Sequence, residues 1–237
     1  MKNARARVVV KVKEIMGLAQ TVPVYTIEEY LAMEREAVER HEYIDGEIFV
    51  MAGETDPHSI ITINLGAEFH NQLKGRDCAA LSPNMKVRSG PDPKFSRSLK
   101  GFFSYADLMV ACGKRLYHDD HKDVLLNPKV IIEILSPTTE AYDRGEKFRR
   151  YRQWIPTFTD YLLVSQTEPL VEHFSLDKSG FWVLRATVSE LGESVKIPSI
   201  GCELKMAEIY DRVEFPAQIE DEEEKPKRKQ QTKKAKK

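Results

Sequence analysis

The segment Val130 to Leu135 reads VIIEIL, and few environments can accept it. As a strand it turns Val130, Ile132 and Ile134 to one side and Ile131, Glu133 and Leu135 to the other. Both sides are apolar except at Glu133, so this strand belongs in a sheet covered on both faces. The fold must therefore supply layers above and below the sheet. It must also compensate a carboxylate, because a buried charge costs on the order of several kcal/mol even after relaxation. Glu133 has to be paired, protonated or bound to a metal.

The segment FFSYADLMVAC, Phe102 to Cys112, repeats the anomaly with Asp107 in the middle of an expected strand. If the two strands are neighbours in register, two carboxylates converge. Such a pair raises one of its own pKa values unless a cation lies between them. A hard divalent ion such as Mg²⁺ suits oxygen donors of this kind. Each acid alone is explained as well by a buried Arg or Lys partner. The two together, with the helix that follows, favour a site.

That helix is TEAYDRGEKFRRYRQW, from Thr139 to Trp154. Pro137 ends the strand, and Thr138 or Thr139 can cap the helix. Asp143 and Lys147 are four residues apart and share a face. From Glu133 to the strand end is ~13 Å at ~3.3 Å per residue. A helix returning antiparallel at ~1.5 Å per residue covers that distance in about eight residues, from Thr139 to Lys147. Lys147 is thus expected over the same site as Glu133. Ala141, Phe148, Tyr151 and Ile155 form the packing stripe. Arg144, Arg149, Arg150 and Arg152 make a basic outer side that suits phosphates.

The rest of the chain reads as α/β. Thr26 to His41 is an expected helix with a capping-box pattern at Thr26 and Glu29. HEYIDGEIFVMAG follows as a hairpin turning at Asp45-Gly46. Asp56 is the expected cap of a second helix, with Pro57 in its first turn, running to Gly75. Strands are expected over Ala79–Val87, Phe102–Cys112, Lys129–Leu135, Asp160–Ser165, Leu170–Phe174 and Phe181–Ala186, with a short helix over Leu204–Tyr210. This order predicts a mixed central β-sheet flanked by helices. Residues 1–22 read as a flexible basic leader, 23–216 as one domain, and 217–237 as a disordered charged tail. The insert from Ser89 to Gly101 reads as a loop near the cleft.

Charge adds little about partners on average: 31% of residues are charged and the formal net charge is −1. The distribution is uneven, since residues 220–237 carry 5 acids and 8 bases and leave the remainder at −4. The tail is a solubilising segment or a loose contact for phosphates. Cys78, Cys112 and Cys202 are far apart with no CxxC pair, so neither a disulfide framework nor a zinc site is expected. No apolar run approaches the ~20 residues of a membrane helix. A cytoplasmic protein without membrane contact is the expectation.

The string EILSPTTEAYDRGEKFRRYRQWIP, with YADLMVAC and HEYIDGEIFVMAG before it, resembles the Uma-type restriction endonuclease family of the PD-(D/E)XK nuclease superfamily. The likeness spans roughly residues 25–213. It implies a restriction-endonuclease-like core and a divalent-metal-dependent endonuclease that hydrolyses phosphodiesters, most readily in DNA. Asp107 matches the acid of the Pro-Asp element, although Ala106 stands where that family has proline. Glu133 matches the second acid. The lysine expected two residues later is replaced by Leu135, and Lys147 is the relocated candidate. Mg²⁺ or Mn²⁺ is then held by Asp107, Glu133 and the Ile134 backbone carbonyl, with Asp143 positioning Lys147. Glu47 and His58 also match family positions, as a support of the metal site and a residue lining the cleft. A homodimer would set two such sites across a duplex. The alternative is an inactive nuclease fold serving as a nucleic-acid- or partner-binding module.

Overall fold

The computed structural model describes residues 9–15, 18–92 and 99–215. Strands β1 (Val9–Ile15) and β2 (Leu18–Val24) pair antiparallel, so the leader expected over 1–22 contains a hairpin. The tail 217–237 and residues 93–98 of the insert lie outside the described residues.

Helix α1 (Ile27–Glu34) starts with the expected capping box: the Glu29 N–H donates to Thr26 Oγ1 (3.1 Å) and the Thr26 N–H to Glu29 Oε2 (2.8 Å). It stops well short of His41. Val38, within the expected helix, is fully exposed, and His41 opens a strand instead. Strands β3 (His41–Ile44) and β4 (Glu47–Val50) form the hairpin. Asp45 at φ 50° and Gly46 at φ 101° supply the two positive φ values of a type I′ turn. Helix α2 (Asp56–Leu73) is capped by Thr55, one residue earlier than expected; Thr55 Oγ1 accepts the His58 N–H (3.4 Å).

Two expected strands are each two. Cys78–Leu81 is β5 and Lys86–Ser89 is β6; Phe102–Tyr105 is β7 and Leu108–Cys112 is β8. The halves enter different sheets. After β9 (Val124–Leu125) come β10 (Val130–Leu135), β11 (Asp160–Ser165), β12 (Val171–Leu176) and β13 (Trp182–Val188). A final hairpin, β14 (Ser194–Ile197) and β15 (Cys202–Lys205), carried no strong sequence signal. One sheet has the order β13-β12-β11-β10-β8-β5 and the other β4-β3-β7-β6-β9. In the first, β10 and β11 run parallel and the remaining pairs antiparallel, which makes it the expected mixed sheet.

Between β10 and β11 lie α3 (Glu140–Tyr142), a π-helical turn (Asp143–Lys147) and α4 (Phe148–Trp154). A short helix, α5 (Met206–Ile209), follows β15. The strand β10 is buried along its whole length and packs on both faces. Val130, Ile132 and Ile134 join Ile61, Leu65 and Phe69 of α2 in one core. Ile131 and Leu135 join Phe148 and Tyr151 of α4 in another. The alternation of VIIEIL thus sets one helix on each side of the sheet.

The cysteine reading needs correction. Cys78 and Cys112 are facing residues in the β5–β8 ladder and form a disulfide, while Cys202 is free and buried. Their separation of 34 residues hides a contact that only strand pairing creates. Among the described residues, no helix is long and apolar enough to cross a membrane.

The hairpin turn gives a direct test. A Cβ at position 46 would stand 2.5 Å from Val24 Cγ1 on a backbone of positive φ. Gly46→Ala is expected to lower stability by about 1–3 kcal/mol, read as a lower urea midpoint at unchanged slope.

Candidate active site

The break between β7 and β8 falls at Ala106-Asp107, so Asp107 lies where the chain passes from one sheet to the other. This corrects its expected place within a strand and explains its access to a cavity: it escapes the ladder. Its Oδ2 accepts the Ile134 N–H at 2.6 Å, which fixes the carboxylate against β10 beside Glu133. From the other side His58, in the first turn of α2, brings Nε2 to 3.2 Å from Asp107 Oδ1.

Glu133 is 1% exposed and points to the α4 side of the sheet. Lys147 Nζ donates to Glu133 Oε2 at 3.1 Å, and the Tyr151 hydroxyl lies 3.2 Å from Oε1. Lys147 also reaches Asp143 Oδ1 (3.2 Å) and the Tyr105 carbonyl (3.4 Å). The return distance argued above therefore puts the ammonium beside the acid. The intervening π turn holds both Asp143 and Lys147 buried, facing inward.

Glu42, which the sequence argument passed over, completes the group. It lies 3.6 Å from Lys147 Nζ through Oε1, and its Oε2 accepts from the Tyr142 hydroxyl at 3.0 Å. Glu47, the hairpin acid chosen from sequence, does not line the cavity. The register explains this. Glu42 faces Phe49 and Ile44 faces Glu47, so the two acids share a face of the hairpin but sit two rungs apart, with Glu47 nearer the turn. A hairpin acid opposite an aromatic was the available signal.

Glu42, His58, Asp107, Glu133, Ile134, Asp143 and Lys147 all border one cavity of about 440 Å³. Ile134 keeps its side chain in the α2-side core, so it meets the cavity through its main chain. Burial pushes the Glu133 carboxyl well up, Asp143 and Asp107 push the same way, and Lys147 opposes them. Burial also raises Asp143 against the pull of Lys147. Burial alone would lower Lys147, but Glu133, Tyr151, Glu42 and Asp143 outweigh it and keep the ammonium charged. For His58, burial lowers and Asp107 raises, with a net rise.

Four carboxyl groups thus face one lysine and one histidine. Among the described residues, no three His, Cys, Asp or Glu side chains form a ready-made metal cage. Mg²⁺ needs no such cage, since it commonly binds through one or two carboxylates and keeps several waters. Asp107, Glu133 and the Ile134 main chain fit that requirement. The buried Glu42 Oε1 has no hydrogen-bond partner among the described residues, and its demand for compensating charge is met by the Lys147 ammonium at 3.6 Å.

Removing the ammonium should expose that demand. Lys147→Met leaves the buried acids unpaired, which typically costs about 3–5 kcal/mol at neutral pH. A raised carboxyl pKa favours folding fully below its unfolded value, about 4.3 for Glu. That advantage is lost as pH rises through the folded value. The variant is therefore expected to approach wild type near pH 5 and fall away from it above pH 7, in urea unfolding at each pH. A pH-independent deficit would contradict this account of the cluster.

Comparison with known proteins identifies the family and the fold. The family model Uma2, "Putative restriction endonuclease", matches residues 27–207. The uncharacterized Synechocystis protein slr1290 is 33% identical over 195 residues, covering 81% of this chain and 95% of that protein. A second uncharacterized Synechocystis protein, sll1609, is 29% identical over 178 residues, covering 75% and 96%. A crystal structure of a "putative nuclease belonging to DUF820" from Anabaena variabilis superposes with a TM-score of 0.61 at 18% identity, over 78% of this chain and 97% of that one. At that identity the likeness shows a shared fold, the restriction-endonuclease-like α/β core. With its family match running from α1 to the start of α5 and enclosing every residue of the acidic cavity, this chain belongs to the Uma2 family of restriction-endonuclease-like proteins.

Proposed function

We propose that this protein is a divalent-metal-dependent endonuclease that hydrolyses phosphodiester bonds in DNA. One observation carries the reading: Asp107, just before β8, and Glu133, within the neighbouring β10, reach a single cavity, with Lys147 beside Glu133. Family membership supports nuclease chemistry; the metal requirement and the choice of DNA are our inference.

In this reading Asp107, Glu133 and the Ile134 carbonyl hold Mg²⁺ or Mn²⁺. The bound ion supplies Lewis-acid polarisation of the scissile phosphate and a water of lowered pKa. The protein supplies the rest. Lys147, held by Asp143, sets a fixed positive charge where negative charge develops on the phosphate. Asp143 thereby acts as a positioning residue. His58 orients Asp107 and can exchange a proton at Nε2. Tyr151 and the Ile134 N–H hold the two acids in place. A cytoplasmic setting, within reach of DNA, belongs to the same reading.

Calorimetric titration with Mg²⁺ and Mn²⁺, on wild type and on Asp107→Asn with Glu133→Gln, tests the ligand assignment directly. Binding is expected in wild type, alone or with a phosphorothioate oligonucleotide, and is expected to vanish in the double variant. Glu133→Gln alone should slow DNA cleavage by at least about 100-fold, the scale of losing a major electrostatic stabiliser. Cleavage that survives in Glu133→Gln would refute the assignment. Metal and DNA binding without cleavage by wild type would identify a binding module on a nuclease fold.

A further inference from the structure

The cavity has a second wall that the acids do not explain. It is built from the end of β4 and the residues after it: Phe49, Val50, Met51 and Gly53. β4 is an edge strand, and its last two residues are large and apolar yet exposed, Phe49 at 44% and Val50 at 64%. By contrast, Tyr43 on the adjoining strand, and Phe102 and Phe103 in β7, are completely buried. Scattered exposed apolar residues are ordinary, but an aromatic left open while bordering a functional cavity carries information.

Register ties this aromatic to the chemistry. Phe49 pairs directly with Glu42, and facing residues of an antiparallel pair project from the same side about 4.5–5.5 Å apart. Glu42 is itself in ion-pair range of Lys147 and hydrogen-bonded to Tyr142. Phe49 therefore stands one cross-strand pair from the acid cluster, on the cluster's side of the hairpin.

Charge and size narrow what such a site accepts. The cavity wall carries Glu42, Glu54, Asp107, Glu133 and Asp143 against Arg40, His58 and Lys147. Arg40 and Glu54 pair at 3.6 Å and cancel, which leaves Glu42, Asp107, Glu133 and Asp143 against His58 and Lys147. A wall of this sign does not track a phosphate backbone by charge, the usual source of affinity for duplex and single strand alike, so affinity in this cavity has to come from contact with a base. The volume of about 440 Å³ is that of a pocket for one small molecule or one nucleotide. Every base offers a π face to an aromatic ring, provided the base is unstacked from its neighbours.

We propose that Phe49 is the base-stacking residue of this cavity, and that the site takes an unpaired nucleotide of a DNA strand rather than a paired base within intact duplex. The proposal rests on the nuclease reading of the acidic cluster. It adds the substrate class: single-stranded, frayed or looped DNA.

The test uses the full chain with Glu133→Gln as the non-cleaving parent. The probe is a short oligothymidylate carrying a single 2-aminopurine, whose fluorescence is quenched by stacking. Quenching is expected with the parent in Mg²⁺. Adding Phe49→Ala should abolish the quench and weaken binding about tenfold, the scale of losing one base–aromatic stack. Phe49→Trp and Phe49→Tyr should retain both, which separates stacking from any damage to the fold. Annealing the complementary strand should remove the signal. Unchanged quenching in Phe49→Ala, or duplex bound as tightly as single strand, overturns the proposal. Cleavage by wild type distinguishes the two levels. If duplex and single strand are cut equally and only the Glu133 variant fails, the stacking proposal falls and the nuclease reading stands. If neither form is bound or cut, both fall.

Discussion

A lysine ammonium and a glutamate carboxylate meet at 3.1 Å with almost none of either side chain exposed. Much of the domain can be understood as the means of holding them there. The strand that carries Glu133 is covered on one face by α2 and on the other by α4. Each cover also delivers a polar group to the cavity: His58 from the start of α2, Lys147 from the turn before α4. Burial makes the pair costly and also makes it specific. In low dielectric a misplaced charge is severely penalised, so the arrangement tolerates few alternatives.

The pair does not neutralise its surroundings. Asp143 and Glu42 crowd the same ammonium, and burial, with Asp107 adding to it, drives Glu133 and Asp143 toward their protonated forms. A protein built only for stability gains little from such an excess, since apolar residues of similar volume often serve as well. Strained titration of this sort is characteristic of sites that act on a ligand carrying charge of its own. The His173–Asp160 pair offers a contrast within the same sheet. It is equally buried at 2.9 Å, with one acid facing one base and Thr159 adding a hydrogen bond to the acid. Nothing there is left over.

What could be read from sequence followed from how local each signal was. VIIEIL revealed its two faces because alternation is intrinsic to a strand. Asp45-Gly46 revealed its turn because positive φ at both residues has few chemical solutions. The capping box at Thr26 spans only four residues and was equally legible. Sheet membership was not. Phe102–Cys112 looks like one strand because both halves are apolar, but the halves pair with different partners, and the break falls at Asp107. The cysteine pair was hidden for the same reason. Glu42 escaped notice because its role depends on the approach of Tyr142 and Lys147 from the segment after β10, which is not written in HEYIDGEIFV. Lys147 was legible only by combining rises per residue across a strand and a helix. That estimate assumed a regular α-helix, which the turn at Asp143–Lys147 is not.

That turn has a further consequence. A π turn accommodates one residue more than an α-helix does over the same rise. Here it brings Asp143 and Lys147 inward together while Phe148 and Tyr151 keep their places in the core behind them. Deleting one residue within Asp143–Lys147 would close the turn to a regular α-helix, and the residues left in it would be displaced by about 100°, one residue's step at 3.6 residues per turn, from the inward positions that Asp143 and Lys147 now share. Substitutions among the outward residues, such as Arg144 or Glu146, leave this phasing untouched. The stretch joining the two charged residues is therefore permissive in composition and intolerant in length: it works as a spacer gauge, in which an insertion or deletion does harm that most point changes cannot.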